Sequence, residues 1–169
     1  MYRIVIIFII TIFISACNNE TSEKKPDTKK VVNRYVNGIA QLERNYVDKG
    51  GKLVANYEWE YYEDGSVLKE GPLSAQENRD GLWKSYYRNG VVWSEGEYKN
   101  GIREGKTITY HSNGNMYYDG QFIQAKKAGL WKFYKENGDF DYEMFFDHEN
   151  NTMISVDTEK LKEQLKSME

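Results

Sequence analysis

The chain repeats itself. From Gly81 it reads GLWKSYYRNGVVWSEGEYKNGIRE, then GKTITYHSNGNMYYDGQFIQAKKA from Gly105, then GLWKFYKENGDFDYEMFFDHENNT from Gly129, so both steps are 24 residues. An earlier copy, YEWEYYEDGSVLKEGPL, is offset by 25 residues and puts Gly65 under Gly90, and a weaker one, RYVNGIAQLERNY, gives Gly38 the same role. About four and a half copies cover residues 34–147. A period of this length marks stacked supersecondary units, each too small to bury an apolar face without its neighbour.

Each copy reads as one β-hairpin. The turn glycines Gly38, Gly65, Gly90, Gly114 and Gly138 follow Asn37, Asp64, Asn89, Asn113 and Asn137. Asn-Gly or Asp-Gly between apolar runs predicts a two-residue type I′ turn, in which both central residues take positive φ. Such a turn sets Trp83 opposite Gly96, Lys84 opposite Glu95, Tyr86 opposite Trp93 and Tyr87 opposite Val92, with Lys132 opposite Glu143 in the last copy. A core face is expected from two columns at even spacing, Ala40, Val67, Val92, Met116 and Phe140 with Tyr46, Leu73, Tyr98, Phe122 and Phe146. The expected fold is all-β, a stacked hairpin meander. Asp157 to Ser167, with Leu161, Leu165 and Met168 at helical spacing, is expected to add a short C-terminal helix capping the last strand, within a tail spanning 148–169.

Two further columns are candidates for function. Tyr61, Tyr86, Tyr110 and Tyr134 stand four residues before the glycine, and with Trp93 and Tyr117 as cross-strand neighbours they would form one aromatic stripe. Such a stripe suits either a binding face for a protein or glycan or a ladder that stiffens a thin sheet. Five residues after the glycine every copy is acidic: Glu43, Glu70, Glu95, Asp119 and Glu143. Equivalent positions on successive hairpins lie roughly 9–10 Å apart, whereas calcium ligands sit at about 2.3–2.6 Å, so a solvated or Lys-paired face is expected and no metal site.

The N-terminus carries an address. Arg3 precedes a thirteen-residue apolar run, Ile4 to Ala16, which as a helix would rise about 20 Å, short of the roughly 30 Å hydrocarbon core. It reads as a signal peptide over residues 1–16. Ile14-Ser15-Ala16-Cys17 resembles the lipobox of bacterial lipoproteins, and the resemblance implies cleavage before Cys17 and acylation of that residue, the only cysteine of the chain. Several acyl chains anchor a protein lastingly where one does not. Residues 17–33 are expected to form a disordered tether, since Asn18 to Lys30 holds no apolar residue. Asn18 lacks the aspartate associated with inner-membrane retention in some bacteria, which slightly favours the outer membrane within the cell envelope.

The repeat also resembles the bacterial variant of the MORN (membrane occupation and recognition nexus) repeat. Gly81-x-Trp83-x-x-Tyr86-x-x-Asn89-Gly90, Gly96-x-Tyr98-x-Asn100-Gly101 and Gly129-x-Trp131-x-x-Tyr134-x-x-Asn137-Gly138 carry the likeness, and Lys106-Thr107 departs from it. The resemblance implies a scaffold or interaction platform. Related chains are often labelled YwqK-type antitoxins, which implies an alternative role in neutralising a partner toxin.

No enzyme is expected. His111 and His148 lie far apart without a nucleophile or a third ligand nearby, and His111 reads as a solvated residue beside its turn. The Asn-Gly motifs precede no helix, so they are not phosphate loops, and no cofactor is expected. A net charge of −3 gives no electrostatic support for nucleic-acid binding.

Overall fold

The computed structural model describes residues 28–150 and 152–155. Eleven strands follow in chain order: β1 (Thr28–Arg34), β2 (Ala40–Lys49), β3 (Lys52–Tyr61), β4 (Val67–Pro72), β5 (Gly81–Tyr86), β6 (Val92–Lys99), β7 (Ile102–Tyr110), β8 (Met116–Ile123), β9 (Lys126–Tyr134), β10 (Phe140–Asp147) and β11 (Thr152–Ser155). They form one antiparallel sheet in sequence order, each strand hydrogen-bonded to the one before it. The expected meander of hairpin repeats is present.

The two ends of the sheet turn differently. At the repeated Asn-Gly motif the loop holds three residues, not two. In β5–β6, Tyr87 N–H donates to the Val91 carbonyl and Gly90 N–H to the Tyr87 carbonyl, each at 2.9 Å. Gly90 alone takes a left-handed φ of 82° while Asn89 does not, which makes a type I turn closed by a left-handed glycine. Asn89 braces the turn through its side chain, whose oxygen accepts from Val91 N–H at 3.1 Å, and Asp64 and Asn113 do likewise for Ser66 and Asn115. At the opposite end the turns are the two-residue kind, as at Asn100-Gly101 (φ 48° and 88°) and Gln124-Ala125 (φ 49° and 63°).

This extra loop residue corrects the expected register. Near the turn Tyr86 pairs with Val92, and a bulge then restores Ser85 with Ser94, Lys84 with Glu95 and Trp83 with Gly96. The same bulge recurs before Tyr61, Tyr110 and in β10 before Tyr142. The pairings far from the turn therefore stand, and the expected Tyr86–Trp93 and Tyr87–Val92 pairings do not. Nor do the two apolar columns share a face. Directly opposed residues point the same way, so Val92 joins Tyr86 on one side while Tyr98 lies with Trp83 on the other, their rings 6.5 Å apart.

A single layer leaves little interior. Among the described residues the buried apolar ones are Ala55, Trp83, Ala128, Trp131 and Phe133, and of these only Trp131 is both large and wholly enclosed. Each buried indole lies over a glycine of the strand before it. A Cβ on Gly71 would meet the Trp83 ring at 2.5 Å, and one on Gly120 would meet the Trp131 ring at 2.3 Å. The rings are pinned by Nε1, which donates to the Pro72 carbonyl at 2.8 Å and the Ala128 carbonyl at 3.2 Å. In the repeat that departs from the pattern, Thr107 stands in the indole's place and its hydroxyl donates to the Glu95 carbonyl at 3.1 Å.

The sheet begins earlier than expected, because Thr28 to Arg34 form β1 and are no tether. The segment lacks apolar content up to Lys30, but cations hold it instead. The Lys29 ammonium lies 2.6 Å from Glu43 and 4.3 Å above the Trp59 ring, and Asn33 donates to Gln41 at 2.7 Å. At the other end β11 pairs with β10. The signal peptide, Cys17, the tether up to residue 27 and the expected helix from Asp157 to Ser167 lie outside the described residues.

The indole packing makes a graded prediction. Gly71→Ala and Gly120→Ala should each cost about 1–3 kcal/mol by forcing the ring off its seat. Gly96→Ala should cost distinctly less, since its Cβ would lie 3.6 Å from the Thr107 hydroxyl. Equal losses in thermal or urea unfolding at all three sites would contradict this packing.

Candidate interaction surfaces

The tyrosine column and the acidic column are one device. Three of the four tyrosines reach back to the carboxylate of the preceding repeat: Tyr61 Oη donates to Glu43 at 2.6 Å, Tyr86 to Glu70 at 2.6 Å and Tyr110 to Glu95 at 3.4 Å. Burial, followed by the charge of Asp119, raises the Tyr134 pKa, which places the fourth tyrosine in the same setting. Cations enter the rows as well, Lys29 on Glu43 and Lys84 on Glu95 at 2.9 Å. Glu43 and Glu95 are thus Lys-paired, as one of the two expected readings had it, and Glu43, Glu70 and Glu95 also accept from phenols, which neither reading foresaw. A hydrogen bond to a charged group contributes roughly 1.5–3 kcal/mol, less where water competes.

Trp93 and Tyr117 do not belong to that stripe. The bulge turns both to the side of the buried indoles, where Trp93 lies 6.4 Å from Tyr87 and Tyr117 lies 6.3 Å from Phe133. They are the open members of the set, 48% and 43% exposed, while the four tyrosines are half-buried. Leu82, Leu130 and Phe145 are comparably exposed, and only the structure singles them out.

A second ladder closes the turn end. The residue three before the glycine hydrogen-bonds the next repeat's tyrosine carbonyl: Tyr35 to Tyr61 at 2.7 Å, Tyr62 to Tyr86 at 2.9 Å and Tyr87 to Tyr110 at 2.8 Å. His111 continues the series, with Nε2–H donating to the Tyr134 carbonyl at 3.0 Å. It is a half-buried clamp and not the solvated residue expected. Asn37 and Asn113 add parallel bonds to the Glu63 and Glu136 carbonyls at 3.0 and 2.7 Å.

A cation column on the indole side escaped sequence reading. Arg79, Arg103 and Lys127 recur at 24-residue steps. Arg79 stacks 4.4 Å over Trp83 and 5.5 Å over Tyr98, and Lys127 lies 4.5 Å over Trp131 and 4.8 Å over Phe146. Arg103 has no indole beneath it; it lies 5.0 Å over Phe122 and donates from Nε to the Tyr98 hydroxyl at 3.1 Å. The signal was present in the spacing, but a lysine or arginine at or just before the start of a hairpin strand reads as solvated.

Among the described residues no three His, Cys, Asp or Glu side chains come together as metal ligands. The arrangement binds and braces: aromatic rings, guanidiniums and paired carboxylates, repeated along a thin sheet. It defines a β-hairpin repeat protein. The family model described as MORN repeat variant matches residues 79–100 and 103–124, which are hairpins β5–β6 and β7–β8. Over that span the chain is similar to MORN repeat variants, and such repeats are typically non-catalytic. No curated protein matches it.

The ladder has a pH signature. Burial first, and then the facing carboxylates, raise the pKa values of Tyr57, Tyr61, Tyr86 and Tyr110. These phenols keep their protons in the fold at pH values where the unfolded chain, near about 10, has lost them. Their contribution to stability is therefore complete below that pH and is lost as pH rises through it toward the folded values. Tyr98 moves the other way: burial opposes its ionisation, but the hydrogen bond from Arg103 and the charges of Arg103 and Arg79 outweigh that. Phenolate absorbance should show an early component that Tyr98→Phe removes, ahead of a late one coupled to unfolding. A single transition unchanged by Tyr98→Phe would contradict these surroundings.

Proposed function

We propose that the chain is a lipid-anchored envelope protein whose hairpin stack is a non-catalytic interaction platform for a protein or glycan partner. The anchor rests on Ile14-Ser15-Ala16-Cys17 at the end of an apolar run. The platform rests on one observation above the others. The sheet is a single layer, so both faces meet solvent, yet Trp93 and Tyr117 remain open while the rings around them are tied into ladders. Large exposed rings held by a rigid frame give contact area at little entropic cost.

Fractionation of the host with mass analysis of the mature N-terminal peptide tests the anchor. A di- or triacylated peptide beginning at Cys17 should appear in the membrane fraction, and Cys17→Ser should release the protein from it. An unmodified peptide retaining Met1 in the soluble fraction would overturn the address, and the toxin-neutralising reading of these repeats would then take precedence.

A further inference from the structure

The indole of the repeat is replaced by Glu58 in one copy and by Thr107 in another, and a hollow lies beside the second of these. Over Gly71 and Gly120 lie indoles, whereas a Cβ on Gly96 would meet only the Thr107 hydroxyl at 3.6 Å and the edge of the Tyr98 ring at 3.8 Å. The space is about 200 Å³, and its walls include Trp83, Trp93, Tyr98, Lys69, Arg79 and Arg103, with Gly96 as floor. That is smaller than the roughly 300–1,000 Å³ of a drug-sized pocket, and it suits a single ring.

The walls are charged as well as aromatic. Of the carboxylates nearby, Glu60 is held by Lys69 at 2.8 Å and stands 4.0 Å from Arg79. Glu95 borders the hollow, but its carboxylate is bonded to Lys84. Arg103 spends its Nε on the neutral Tyr98 hydroxyl. Two guanidiniums therefore face the hollow, Arg79 with a distant carboxylate that it shares with Lys69 and Arg103 with a neutral hydroxyl. Arg79 already lies over the Trp83 indole at 4.4 Å, whereas Arg103, the equivalent cation one repeat on, has no indole beneath it.

We propose that the hollow receives an aromatic side chain, tryptophan or tyrosine, from an acidic segment of a partner protein. The ring fills the absent rung, stacking against Arg103 and Arg79 beside Trp93, and the flanking carboxylates meet the two guanidiniums. The fold itself displays the recognition at Trp83 and Trp131, where an indole is seated between a strand glycine and a cation. Guanidinium–ring contacts contribute most where water is excluded. This inference rests on the platform reading and names the partner's chemistry.

The test is titration of the isotope-labelled full-length chain with the peptide acetyl-Asp-Trp-Asp-amide, followed by NMR at the Arg79 and Arg103 Nε–H and the Gly96 amide. Saturable shifts are expected, weaker by about tenfold or more with Ala in place of the peptide's Trp. Thr107→Trp should fill the hollow from within and abolish the shifts while holding or raising the melting temperature. Arg103→Gln should weaken them if the first variant does not fold. Absence of saturable shifts, equal binding by folded Thr107→Trp, or saturable shifts with glucuronate in place of the peptide would each overturn the proposal. None of these outcomes bears on membrane anchoring, which fractionation reads separately.

Discussion

A sheet one layer thick cannot bury its side chains against a second sheet or a helix, so each hairpin must use its neighbour. That constraint explains the repeat. Trp83 and Trp131 lie on glycines of the preceding hairpin, Tyr86 bonds a carboxylate of the preceding hairpin, and Tyr87 bonds a carbonyl of the following one. Every tie spans one repeat, which is why the residues that make it recur at one-repeat spacing. Stability in such an array is close to a sum of nearest-neighbour terms.

The polar rows follow from the same geometry. With few residues fully enclosed, apolar burial is modest, and charged hydrogen bonds carry a larger share of the cohesion. Buried or half-buried polar groups must find partners, and here they find them along the stack: Tyr61 with Glu43 and Lys29, and Arg44 with Glu58 at 2.8 Å and Glu77 at 2.7 Å. The first strand belongs to this system. Its lysines dock on acidic and aromatic side chains, so a polar segment orders without a hydrophobic face of its own.

Much of this was legible in the residues. The 24-residue step and the hairpin per repeat follow from periodicity, whereas the Trp83–Gly96 pairing was expected from a two-residue turn and stands only because the bulge offsets the third loop residue. The tyrosine and acidic columns were visible too, though not that they bond each other across repeats. What spacing could not show was the third loop residue and its compensating bulge, because Asn-Gly is compatible with both turn types. That single residue moved Trp93 and Tyr117 from the tyrosine stripe to the indole side and separated Val92 from Tyr98. The cation column was hidden for a different reason. Its meaning lies in which ring each cation covers, and that is a property of neighbouring strands.

The departure at Thr107 shows how a repeat can gain an individual feature without losing its frame. One small side chain in place of an indole leaves the strand pairing intact, Thr107 still opposite Gly120 and Gly96, and opens a space among groups that are ordinary elsewhere in the stack. The central claim remains that cohesion runs from neighbour to neighbour. Native-state hydrogen exchange on the full chain tests it most directly. Protection should peak in β7 to β9, where Thr107, Thr109, Ala128, Trp131 and Phe133 are buried and hairpins press from both sides, and should fall toward β1 and β11. Uniform protection across all eleven strands would contradict the account, because it would require a cohesion that neighbour-to-neighbour ties do not supply.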